Sequence, residues 1–165
     1  MHNRLFLLCP TDCLESTINN EFRCKNYFYT SLGNSFVANN KTIEYLKQTI
    51  CKHNIKEISF ILSSNNDIIN DALGTQDFSK IRGLKRLYDQ IIQQKKHTEV
   101  LWKNTDSQFS ILSYFLNYKI KELQLELGSI INSKLKINGK IYNRFENVFE
   151  NIHPNLICIE KHYLN

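Results

Sequence analysis

The chain has 165 residues, of which 42% are apolar and 22% charged, with a formal net charge of +5. That length fits one compact domain spanning 1–165 around one sizeable core, and the composition lets burial offset ordering, which excludes a disordered chain. The charge invites acidic partners, but Lys and Arg alternate with acids at most positions. The densest basic stretches, 80–86 and 95–97, read as solvated helix faces, so nucleic acid is not an expected partner.

The apolar run at 4–9 is ended by Pro10, which suits a buried strand that stops where proline removes a donor. It is too short for a secretory leader, and Pro10-Thr11-Asp12 follows it instead of small residues. Thr11 or Asp12 can cap a helix over 11–20, with Glu15 in its first turn. A β-branched and aromatic run at 27–30 predicts a second strand, closed by the turn signal Leu32-Gly33-Asn34.

Apolar residues at helical spacing predict a helix over 42–53, and 58–62 is another buried-strand run. A helix over 67–73 is stopped by Gly74, and 80–94 and 108–127 are the two longest helices, the second ended by Gly128. Alternation at 134–142 predicts a half-exposed strand near a sheet edge, and 145–162 reads either as a helix or as a final strand at 156–159. Strand and helix alternate, so the fold class is α/β: a mainly parallel central sheet flanked by helices. No stretch approaches the roughly 20 apolar residues that cross a bilayer. Five cysteines are an odd number in a chain that needs no disulfide staples, so reduced thiols and a cytoplasmic location are expected.

Five fragments in order carry a resemblance: Leu8-Cys9-Pro10-Thr11-Asp12-Cys13, Thr30-Ser31-Leu32-Gly33-Asn34, Thr42-Ile43-Glu44-Tyr45, Ile61-Leu62-Ser63-Ser64-Asn65-Asn66-Asp67, and a late strand from Ser133 to Tyr142. Together they resemble the β class of carbonic anhydrases across most of the chain. The corresponding family segments read Cys-x-Asp-x-Arg, Arg-Asn-Ala-Gly-Asn, Ser-Ile-Glu-Tyr, His-Ser-x-Cys-Gly and Leu-x-Ile-x-Gly-x-x-Tyr.

The resemblance implies a zinc held by the first-strand Cys and by the later His and Cys, since a catalytic zinc takes three protein ligands and keeps a position for water. Cys9 is the one matching ligand, and the His and second Cys positions fall on Ser63 and Asn66. The family's Asp and Arg fall on Thr11 and Cys13; Asp12 can take the Asp role by a one-residue slip, but no arginine follows within the motif, and the Arg of the second segment is Thr30. Without the ion's charge water keeps its high pKa, so carbon dioxide hydration is not expected.

What the resemblance leaves is a vestigial pocket of Cys9, Thr11, Asp12, Cys13, Gly33, Asn34, Ser63 and Asn66, with no catalytic residue assigned and no cofactor expected. It implies a non-catalytic binding or regulatory module acting through that pocket or an oligomer surface. The alternative is a divergent metal- or thiol-dependent enzyme using Cys9 and Cys13, which a helix N-terminus would activate. The plainer reading of that pair is that Cys9 is a small buried hydrophobe and Cys13 packs on the helix.

His2, His53, His97, His153 and His162 form no ligand-spaced pair, so zinc would need a rearranged site such as Cys9 with Cys13 and one His. Residues 63–67 read as a capping turn, although their hydroxyls and N–H groups would suit a small anion such as bicarbonate. The resemblance also implies a homo-oligomer, a dimer above all. With only three residues ahead of the first strand, the family's N-terminal arm is missing and sheet edges would have to serve.

Overall fold

A computed structural model describes residues 2–101, 107–128 and 135–153. Five strands form one sheet in the order β2-β1-β3-β4-β5: β1 (Asn3–Leu8), β2 (Asn26–Thr30), β3 (Ile55–Ser63), β4 (Lys136–Asn143) and β5 (Val148–Asn151). The first four pair in parallel, and β5 runs antiparallel to β4. The mainly parallel α/β architecture expected from the strand–helix alternation is the one observed.

Period-two alternation sorts the side chains into two layers. Leu5, Leu7 and Cys9 of the first strand and its end join Ile58, Phe60, Leu62 and Ile141 in the larger buried cluster. Residues of α2 (Asn40–His53), α3 (Asp67–Leu73), α4 (Lys85–Leu101) and α5 (Ser107–Leu127) complete that cluster. Phe6, Leu8, Ile61 and Tyr142 face the other way and pack with Leu14 and Ile18 at α1 (Glu15–Glu21).

Several local expectations give way to tertiary contacts. The chain after β1 makes a 3-10 turn at Pro10–Asp12, and α1 begins at Glu15 with no side-chain cap, because Asp12 is bonded elsewhere. The basic stretch 80–86 lies mostly ahead of α4 in turns, not on a helix face. β4 lies inside the sheet between β3 and β5, since residues 148–151 supply an edge strand that the sequence pattern did not show. The strand expected at 156–159 lies outside the described residues.

Candidate functional site

From β1 the chain passes to β2 on one side of it and then to β3 on the other. The topological switch therefore falls between β1 and β3, where α/β folds open a crevice beyond the strand C-termini. All eight residues expected at the pocket lie at the C-terminal ends of β1, β2 and β3 or on the segments that follow them. Seven of them divide into two groups linked through the backbone, with Asp12 N–H donating to Cys9 C=O at 3.1 Å.

The first group surrounds the thiol. Cys9 is buried, its sulfur accepts the Gly33 N–H at 3.0 Å, and it lies 3.0 Å from the Thr11 hydroxyl. Gly33 has φ of +59°, and a Cβ there would come within 2.7 Å of Leu87 Cδ1 and 3.0 Å of Ile68 Cγ2. Glycine is thus required both by the backbone and by the approach of α3 and α4. Asn34, fully buried, sends its side-chain amide to Leu7 C=O at 2.8 Å and Ile61 C=O at 3.1 Å, pinning β1 to β3 at the switch point.

The second group surrounds a carboxylate. Asp12 is only 2% exposed; Oδ2 accepts the Ser63 N–H at 2.9 Å and Oδ1 accepts the Asn66 side-chain amide at 2.9 Å. Asn66 Oδ1 in turn accepts the Ile69 N–H at 3.0 Å and caps α3, as expected of a polar capping turn. The Ser63 hydroxyl donates to Asn65 Oδ1 at 2.5 Å and accepts from Arg144 Nε at 3.1 Å. Arg144 Nη2 donates to the Asp12 main-chain carbonyl. Burial pushes the Asp12 carboxyl above its usual range; the Ser63 N–H, the Asn66 amide and the Arg144 charge pull it back, and Asp67 pushes it further up.

Cys13 stands apart, exposed and in the left-handed region at φ of 52°, its thiol directed to the Pro10 carbonyl at 3.5 Å. Arg144 is the residue that sequence reasoning missed. It follows Tyr142 by two positions beyond the end of β4, so strand alternation and the rule that sites lie past strand C-termini are the signals that could have found it.

No protein-family model and no curated protein sequence matches the chain. Among solved structures it is similar to the β-carbonic anhydrase CafD of the fungus Aspergillus fumigatus, at 15% identity and a TM-score of 0.73, covering 93% of this chain and 90% of that one. It is also similar to a tetrameric β-carbonic anhydrase of Sordaria macrospora (14% identity, TM-score 0.70, 92% of this chain and 80% of that one). A third likeness is to the Coccomyxa β-carbonic anhydrase in complex with acetazolamide (9% identity, TM-score 0.68, 99% and 85%). The fold is that of the β-carbonic anhydrases.

That fold implies a zinc, and the residues present do not fit one. The Asn66 amide nitrogen donates to Asp12 and its oxygen caps a helix, so neither atom is available as a ligand. Ser63 supplies a neutral hydroxyl already bonded on two sides. Cys9 alone offers a soft donor, against the three protein ligands of a catalytic zinc. Among the described residues no three His, Cys, Asp or Glu side chains come together as a set that could hold a metal ion. No helix of the described residues is long and apolar enough to cross a membrane.

Proposed function

We propose that this chain is a carbonic-anhydrase-like protein that does not hydrate carbon dioxide and serves as a cytoplasmic binding or regulatory module. It would act through the β1/β3 crevice, with a small anion as ligand, or through the surface of a homo-oligomer. One observation carries this: at the two positions that the resemblance gives to zinc ligands, the Asn66 amide is bonded to Asp12 and the Ser63 hydroxyl to Asn65 and Arg144. Hydration at neutral pH needs a metal-activated water, and the hydrogen-bonded set around Asp12 supplies no substitute for the ion's charge.

Assembly as a dimer or larger homo-oligomer is supported by the tetrameric Sordaria enzymes of the same fold and by the edge strands β2 and β5, each paired on one side among the described residues. The divergent-enzyme reading is weakened because one thiol of the Cys9 and Cys13 pair is buried and the other exposed.

The test is stopped-flow carbon dioxide hydration by the purified full chain, with zinc added and then chelated. The expected rate is that of buffer in both states. Chelator-sensitive turnover at ordinary enzyme rates, about 1 to 10³ per second, would overturn the proposal.

A further inference from the structure

Residues 31–39 form a strap over the buried thiol and the ends of β1 and β3. Ser31 N–H donates to Leu8 C=O at 2.9 Å, Gly33 N–H to the Cys9 sulfur, and Asn34 reaches both strands. Its polar groups are thinly satisfied. Ser31 Oγ and Asn34 Oδ1 are buried with no hydrogen-bond partner among the described residues, and the Gly33 donor faces sulfur, a weak acceptor. Opening would return these groups to water, which offsets part of the cost of breaking the Ser31 and Asn34 bonds.

Beside the Ser31 and Asn34 bonds, two contacts further along hold the strap. Phe36 is buried and packs edge-on against Tyr29 and Phe60, with ring centroids 5.8 and 6.4 Å apart. The Phe36 carbonyl accepts Lys119 Nζ at 2.8 Å. Lys119 lies on α5 and is only 2% exposed. Its ammonium also meets Glu122 Oε2 at 3.1 Å, while Glu122 Oε1 takes Arg86 Nη2 from α4 at 3.0 Å. Burial pushes the Lys119 amine below its usual range, Glu122 draws it back up, and Arg86 adds to the depression. A Leu or Met would fill this volume without that penalty. What the ammonium adds is a charge-assisted bond to the strap.

We propose that Lys119 is a latch: held by Glu122, which Arg86 in turn anchors, it fixes the Phe36 carbonyl, and release of the 31–39 strap, without global unfolding, is the route by which solvent and reagents reach Cys9. The proposal concerns access to the thiol and does not depend on what the crevice binds.

The experiment labels the native full chain with N-ethylmaleimide, reads modification at Cys9 by mass spectrometry, and measures global stability separately by urea unfolding. Lys119→Met is expected to label Cys9 about tenfold to a hundredfold faster than the parent, from loss of one bond to a buried acceptor. That increase should exceed what its change in global stability explains. Glu122→Gln, which keeps the bond to Phe36 and removes the charge partner, should give a smaller rise. Phe6→Leu weakens the opposite face of the sheet and should leave the rate near the parent's. A single relation between labelling rate and global stability for all four proteins would overturn the latch, as would an unchanged rate in both Lys119→Met and Glu122→Gln. If Lys119→Met does not fold, the comparison of Glu122→Gln with Phe6→Leu decides.

Discussion

Asp12→Asn isolates the carboxylate at the centre of the site, because the bond from Arg144 goes to the Asp12 main chain and survives the change. Each Asp12 oxygen accepts one donor at 2.9 Å, the Ser63 N–H on one side and the Asn66 amide on the other. An asparagine offers one acceptor and one donor, so in either orientation its NH₂ faces a donor in a buried site. Leaving one buried donor unpaired costs about 1–3 kcal/mol. Relief from burying the charge offsets part of this, and the expected net loss near neutral pH is about 1–2 kcal/mol.

The pH dependence carries a sign. Burial raises the folded-state pKa of Asp12 above 3.8, so its contribution to stability is fully present below about pH 3.8 and is lost as pH rises through the folded value. Asparagine does not titrate there, so the gap between parent and variant should widen as pH falls from about 8 toward 4. Urea unfolding followed by circular dichroism measures it. A variant as stable as the parent at neutral pH would refute the account of Asp12 as a fully bonded carboxylate, and a gap that narrows on acidification would refute the dominance of burial over its hydrogen bonds.

Other outcomes follow from the same geometry. Gly33→Ala should lower stability by about 1–3 kcal/mol, measured as a fall in Tm, since its Cβ meets Leu87 and Ile68 and the backbone sits at positive φ. Native alkylation should modify exposed Cys13 well before buried Cys9, and peptide mapping that finds Cys9 first would contradict the burial of its sulfur. The double change Ser63→His with Asn66→Cys should raise zinc retained after dialysis, in a manner abolished by Cys9→Ser. It should also cost about 1–3 kcal/mol in stability, because Asp12 loses the Asn66 amide and α3 loses its cap.

What the sequence made legible was local. The runs at 4–9 and 58–62 are apolar because β1 and β3 are buried on both faces, so hydropathy alone announces them. Gly33-Asn34 reads as a turn because both residues tolerate positive φ, which both adopt. Asp12 reads, with Thr11, as a candidate helix cap because capping is a signal within a few residues, whereas its donors Ser63 and Asn66 stand 51 and 54 positions away. Arg144 is 81 positions from Ser63, and Lys119 lies 83 from Phe36. No spacing rule spans such distances. β5 is four residues long with two of them exposed, too little pattern to separate a strand from a turn.

The arrangement around Asp12 ties together the strand ends at the switch point with hydrogen bonds alone. In a zinc site of the family type, the ion would join the end of the first strand to the end of the third through its ligands, and removing it alone would leave unpaired polar groups at the switch point. Here the same two strand ends are joined by a carboxylate that accepts from Ser63 and Asn66, by Asn34 bonded to Leu7 and Ile61, and by Arg144 bridging the Asp12 carbonyl and Ser63. Each bond is charge-assisted or buried, the kind that contributes most and costs most to break singly. A set of this kind can hold the crevice in shape, but it lacks the concentrated charge that turns water into hydroxide. Placing zinc ligands at Ser63 and Asn66 without replacing the Asp12 contacts would therefore come at the expense of the scaffold.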